Sequence, residues 1–157
     1  MKKLQLYFET SVFNFAFADD VIEEREITLT LFEQVKQNRY DVFISDIVTR
    51  EILNAPKEKA DQLLELISQL NQVKLKVTGD CVDLAQRYIK EGIIPVKHEY
   101  DALHIAIASV NNLDAIVSWN FKHMVKMKTK REVKAINLLS GYKEIEIISP
   151  QEVIYND

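Results

Sequence analysis

The sequence predicts an α/β fold, a three-layer α/β/α sandwich around a mostly parallel sheet. Three observations predict it. Short apolar runs bounded by turn residues alternate with longer segments in which apolar residues recur at helical spacing. Nearly half of the 157 residues are apolar (47%), enough for one well-filled core. Only 3 Gly and 3 Pro are present, so no flexible linker and no second domain is expected, and residues 1–157 read as a single domain. Strands separated by helices pair in parallel through right-handed crossovers, which place helices on both faces.

The elements follow in order. Leu4 to Phe8 reads as a buried first strand, and Thr10 and Ser11 suit the start of a helix. Ile22, Ile27, Leu31, Phe32 and Val35 mark a helix between Val21 and Val35. Val42 to Ser45 is a second strand, after which Ser45 or Asp46 caps a helix carrying Ile47, Val48, Glu51 and Ile52. Pro56 suits the first turn of the next helix, with Leu63, Leu64, Ile67 and Leu70 as its apolar stripe. Val73 to Val77 alternates with lysine and predicts a strand with one wet face. Thr78 caps the following helix and Gly92 ends it. An apolar helix runs from about Asp101 to Asn112, and Ala115 to Ser118 is a further buried strand, which reads as an edge strand. A basic helical stretch ends near Gly141, Glu144 to Ser149 is a last edge strand, and Pro150 begins a final turn.

Composition excludes several classes. No apolar run is long enough to cross a bilayer, and Met1-Lys2-Lys3 leads into a strand rather than a signal segment. The single cysteine, Cys81, rules out an internal disulfide and a cysteine-based zinc site; it reads as a small core residue, and a cytoplasmic location is expected. The net charge of −4 is unevenly spread. Residues 122–134 hold five lysines (122, 126, 128, 130, 134) and Arg131 against Glu132, which leaves an acidic body carrying a basic strip suited to a phosphate backbone. A solvated surface segment is the alternative.

Polar ligands recur where strands stop. Glu9 directly follows the first strand, Glu51 lies about a turn and a half into the helix after the second, Asp101 opens the apolar helix, and Asn120 follows the strand ending at Ser118. In parallel α/β sheets, ligands bind beyond the carboxyl ends of the strands. Two carboxylates ~4 Å apart at an effective dielectric of ~20 repel by about 4 kcal/mol. A divalent cation turns that repulsion into attraction, and an oxygen donor set without a Cys/His cluster favours Mg²⁺ or Mn²⁺. Such a site points to hydrolysis of a phosphate ester.

Four segments carry a resemblance. They are Phe8-Glu9-Thr10-Ser11-Val12, the stretch from Ser45 to Glu51, Tyr100-Asp101-Ala102-Leu103-His104-Ile105-Ala106-Ile107-Ala108, and Val117-Ser118-Trp119-Asn120-Phe121-Lys122-His123. In this order they resemble the successive motifs of PIN domains, over roughly residues 4 to 150. The resemblance implies a PIN-like fold and a metal-dependent endoribonuclease, commonly the toxin of a VapBC-type toxin–antitoxin pair. It implies that Glu9, Asp101 and Glu51 hold Mg²⁺ or Mn²⁺, with Asn120 completing the catalytic set. Thr10, Ser11 and Ser118 match hydroxyls near such sites. An RNA substrate, a small antitoxin protein and a homodimer are implied in the same way, with no membrane partner. Two departures stand out: Glu9 occupies the place of an Asp and is one methylene longer, and Asn120 carries no charge. Three formal negatives suit one divalent ion and tell against a tightly held second one. They also leave open a catalytically weak or inactive RNA-binding or interaction module of the same fold. A phosphotransfer receiver or phosphohydrolase would need an aspartate nucleophile after the first strand, where Glu9 stands.

Other residues have two readings each. His104 shares a helix face with Asp101 and reads as a structural histidine or as a support for the carboxylate. Lys122, His123 and Lys126 are RNA-contact candidates, His123 equally a helix-surface residue. Trp119 reads as a base-stacking residue or as packing against the basic helix. Phe13, Phe15 and Phe17 read as core or interface.

Overall fold

The structure, a computed structural model, describes residues 2–156. Five strands form one parallel sheet: β1 (Leu4–Phe8), β2 (Tyr40–Ser45), β3 (Gln72–Leu75), β4 (Ala115–Val117) and β5 (Glu146–Ile148). Their spatial order is β3-β2-β1-β4-β5, and every neighbouring pair is parallel. Of the two strands expected at an edge, β5 is one; β4 is interior, between β1 and β5. Its three residues are all buried, as an interior strand requires.

Eight α-helices and one 3₁₀ helix (Val96–His98) connect and flank the strands among the described residues. The α-helices are α1 (Thr10–Phe15), α2 (Ile22–Lys36), α3 (Asp46–Leu53), α4 (Lys57–Ser68), α5 (Gly79–Lys90), α6 (Glu99–Val110), α7 (Met127–Leu139) and α8 (Pro150–Val153). The chain winds outward from β1 through β2 to β3, then returns to the other side of β1 for β4 and β5. Right-handed crossovers therefore put α1 to α4 on one face and α5 to α7 on the other, in keeping with the packing of α3 on α4 and of α5 on α6 and α7. The reversal makes a crevice between the carboxyl ends of β1 and β4.

Local chemistry sets the boundaries. Ser45 caps α3 by accepting from the Ile47 amide, and Thr78 caps α5 by accepting from the Cys81 amide. Gly92 (φ 76°) and Asn112 (φ 56°) take the left-handed conformation just past α5 and α6. Pro56 is the residue before α4 rather than part of its first turn. The basic stretch is shorter as a helix than expected: α7 begins at Met127, and residues 122–126 form turns. Met124 and Val125 amides both bond back to the Asn120 carbonyl, which closes that segment into turns before the helix starts.

The core runs along β1 and α6. Leu6, Tyr7, Phe8, Ile105, Ala106 and Ile107 are all fully buried, and Cys81 packs among them as a free thiol. Asp114 ties the sheet together at its other end, where its Oδ2 accepts from the Gln5 amide at 2.8 Å. No helix of the described residues is long and apolar enough to cross a membrane. Ile105→Ala is expected to cost about 2–4 kcal/mol in urea unfolding, because it leaves a cavity between α6 and the sheet. Leu139→Ala, at a position 73% exposed, is expected to change stability by less than about 0.5 kcal/mol in the same measurement.

Candidate metal centre

Glu9 leaves β1 at the crevice and opens α1. Its amide extends the ladder to β4 by donating to the Val117 carbonyl at 3.1 Å. Its carboxylate is held from three sides: Oε1 accepts from Ser11 Oγ at 2.5 Å and Ser118 Oγ at 2.6 Å, and Oε2 accepts from the Ser11 amide at 3.1 Å. The extra methylene of glutamate lets the group serve as N-cap of α1 and still meet the end of β4. The residue is only 5% exposed.

Glu51 reaches the same place from α3. Its Oε1 accepts from Thr10 Oγ1 at 2.7 Å and lies 2.6 Å from His104 Nε2. Burial opposes ionisation of Glu51, yet the hydrogen bond and charge of His104 and the Thr10 hydroxyl hold its pKa below the ordinary value. Ligand atoms of Glu9, Glu51 and His104 all lie within 4.8 Å of one another. An open cleft of about 370 Å³ exposes Glu9, Thr10, Ser11 and Glu51, with Asn14 and Lys59 on its wall.

Asp101 stands in the first turn of α6, outside that compact group of three but within its field. Burial, followed by the negative charge of Glu9, raises its pKa to about 6. Asn120 faces it: Nδ2 donates to Asp101 Oδ2 at 3.2 Å, while Oδ1 accepts from the His123 amide at 3.0 Å. That backbone donor fixes which way the amide is turned. Ser118, besides holding Glu9, accepts from the Asn120 amide at 2.9 Å. The four residues expected at the strand ends thus converge on one edge of the sheet, with Thr10 and Ser118 as hydroxyl clamps.

His104 is fully buried on α6. Its Nδ1 lies 2.6 Å from the Tyr7 hydroxyl, which is in turn 2.7 Å from Ser45 Oγ. Burial works against a charge on this ring, but the hydrogen bond to Glu51 and the fields of Glu9, Glu51 and Asp101 outweigh it and raise the pKa. Tyr7 could not have been singled out from sequence, because a tyrosine inside an apolar strand reads as core.

The basic face sits beside Asp101. The rings of His98 and His123 are 4.0 Å apart between centroids. Partial burial and the positive field of His98, Lys122, Lys126 and Lys97 lower the pKa of His123. Lys122 and Lys126 are exposed, and neither forms an ion pair among the described residues, unlike Lys134, which meets Glu144. His123 lies in the turns before α7 and not on a helix surface. Lys97 and His98 are not legible in the basic segment because they lie some 25 positions away, in the 3₁₀ helix Val96–His98 before α6. Trp119 is 5% exposed and stacks on Phe15 at 5.3 Å, with Nε1 donating to Thr28 at 2.8 Å. It packs against α1 and α2 rather than against the basic helix, and its ring is not presented for a base. Phe13 is core, while Phe17 is 41% exposed.

The donor set fits a divalent cation: fixed carboxylates from three elements, among them an Asp101 carboxyl whose pKa is raised by burial and, after it, by the charge of Glu9. The raised pKa has a sign for stability. An acid shifted up favours the folded state fully below its unfolded value of 3.8, and that contribution is lost as pH rises through about 6. The full shift corresponds to roughly 3 kcal/mol, reduced by solvent at the open site. In chelator at pH 7.5, Asp101→Asn is expected to be more stable than the unaltered protein by about 1–2 kcal/mol in urea unfolding, with the gap closing toward pH 4.

No family model and no curated protein matches the sequence. Among solved structures the chain is similar to one in the crystal structure of VapBC2 from Rickettsia felis bound to a DNA fragment from their promoter. There the TM-score is 0.57 and the identity 16%, over 92% of this chain and 98% of that one. It is also similar to a chain of VapBC-5, a member of the VapBC family of toxin–antitoxin systems from Mycobacterium tuberculosis, with a TM-score of 0.50 and 17% identity over 92% and 98% of the two chains. At such identities the likeness is one of fold, and it establishes the five-stranded parallel sandwich as PIN-like, the fold that the four sequence motifs predict.

Proposed function

We propose that this chain is a metal-dependent endoribonuclease that hydrolyses RNA phosphodiesters, and that it acts as the toxin of a toxin–antitoxin pair. The observation that carries the first part is the convergence of Glu9, Glu51 and Asp101 at the carboxyl ends of the strands, each held by hydroxyl or amide donors. The second part draws on the shared fold with chains of two VapBC structures. A small antitoxin protein as partner, a second copy of the chain and a cytoplasmic setting belong to the same reading.

In this reading Glu9, Glu51 and Asp101 hold Mg²⁺ or Mn²⁺, directly or through water. A cation held there would supply Lewis acidity toward the phosphoryl oxygens and the attacking water. Asp101 Oδ1 has no donor among the described residues, which leaves it open to accept a hydrogen bond, and then the proton, from the attacking water. The water oxygen bonds to phosphorus, the bond to the 3′ oxygen breaks, and that oxygen takes a proton from solvent, leaving a 5′-phosphate and a 3′-hydroxyl. Asn120 Nδ2 holds Asp101 in place. Lys122 and Lys126, with Lys97 beside them, hold the backbone by charge, and the His123 ring, close to that of His98, contributes as a hydrogen-bonding group.

A specific observation favours a second reading, an inert binding module: both polar ends of the Asn120 side chain are occupied by protein groups. Cleavage of a structured RNA panel in Mn²⁺ separates the two. Asp101→Ala is expected to lower the rate at least 100-fold, and activity that survives this change would remove the nuclease reading. Lys122→Ala with Lys126→Ala is expected to weaken RNA binding at every sequence tested and to flatten its salt dependence by about 1 to 2 in log–log slope.

A further inference from the structure

His104 belongs to the cluster whose ligand atoms lie within 4.8 Å, so its ring nitrogen is a natural candidate for the cation. The hydrogen-bond geometry says otherwise. We infer that His104 is a positioning residue, which fixes the Glu51 carboxylate from beneath and does not itself bind the metal; the inference rests on the cation reading of the site.

The proton positions follow from the partners. An ionised Glu51 can only accept, so His104 Nε2, 2.6 Å from Glu51 Oε1, must carry a hydrogen. Its lone pair is therefore not available on that side. The other nitrogen, Nδ1, faces the Tyr7 hydroxyl at 2.6 Å inside the core, where both Tyr7 and His104 are fully buried. An ion at Nδ1 would have to displace Tyr7 from between β1 and α6. Ser45 Oγ continues the chain at 2.7 Å from Tyr7 and is anchored by the Ile47 amide at 3.1 Å. A relay of Ser45, Tyr7 and His104 thus runs from the end of β2 through the core to α3.

The relay divides the work of the Glu51 carboxylate. Oε1 takes both donors, His104 Nε2–H and Thr10 Oγ1–H. Oε2 has no hydrogen-bond partner among the described residues, and Glu51 lines the open cleft. One oxygen is immobilised and the other is presented. Without the imidazole, a glutamate on a helix surface would lose that fixed direction and regain rotamer freedom. The donor set left for the ion is then oxygen alone, which suits Mg²⁺ or Mn²⁺ better than a softer metal that seeks nitrogen.

The test uses the full chain and Mn²⁺ alone, by titration calorimetry and by pulsed electron paramagnetic resonance of the loaded protein. The spectra are expected to show no directly coordinated imidazole nitrogen. His104→Leu is expected to weaken Mn²⁺ binding about 10- to 100-fold, the range for loss of a residue that orients a ligand. His104→Gln, which returns an N–H toward Glu51, is expected to stay within about fivefold of the unaltered protein, again as a partner-retaining change. Tyr7→Phe keeps the ring volume and removes only the hydroxyl, and serves if His104→Leu fails to fold; a several-fold weakening is expected. A nitrogen coupling of a bound imidazole, or unaltered binding in both His104→Leu and Tyr7→Phe, overturns the inference while leaving the cation site standing. Absence of Mn²⁺ binding in the unaltered protein overturns the site and this inference together.

Discussion

Like charges gathered at one edge of the sheet are the constraint on which the rest of the site depends. The carboxyl ends of β1 and β4 meet at the winding reversal, and the fold delivers three acids to that crevice from β1, α3 and α6. Uncompensated, each pair at close range repels by several kcal/mol at a protein-like dielectric. The chain answers with fixed dipoles and one buried imidazole. Ser11 and Ser118 hold Glu9, Thr10 and His104 hold Glu51, and Asn120 holds Asp101. Glu9 and Glu51 each accept from two or more donors, whereas Asp101 accepts from one among the described residues and keeps a pKa raised by burial and by the charge of Glu9. A preorganised group of this kind needs little rearrangement to accept a cation.

The polar network also explains why so much of β1 is conformationally committed. Tyr7 and Phe8 are fully buried, but they point to opposite sides of the sheet as successive strand residues do. Phe8 packs on Phe13 and Phe32 in one layer, while Tyr7 reaches His104 in the other. Glu9 then ends the strand at the crevice. The last two residues of the strand and the one that follows therefore serve one helical layer, the other helical layer and the site.

The sequence made the strand ends legible because period and burial mark them: an apolar run followed at once by Glu9, or by Ser118 and Asn120, needs no tertiary knowledge. It also gave the limits of β1 and the caps Ser45 and Thr78, since those depend on neighbours within a few residues. What lay hidden depends on contacts distant in sequence. Tyr7 and His104 meet across 97 positions, and no local pattern distinguishes a tyrosine that serves a histidine from one that fills a core. Trp119 is the reverse case: the sequence leaves base stacking and packing against the basic helix both open, and the residue packs, but on Phe15 and Thr28 of α1 and α2. The lysine-rich segment reads as helical because it holds good helix formers throughout, but the turns closed by Asn120 override them before Met127. The interior place of β4 was missed for a further reason, since strand order is a property of crossovers and not of any one strand.

Manganese anomalous scattering from a crystal soaked in Mn²⁺ tests the central claim most directly, because it locates the ion without reference to activity. The account predicts one principal peak at the crevice between β1 and β4, with carboxylate oxygens of Glu9, Glu51 or Asp101 at about 2.0–2.3 Å or one water away. A saturated crystal with no peak there, or with its ion bound at a distant surface carboxylate, would contradict it.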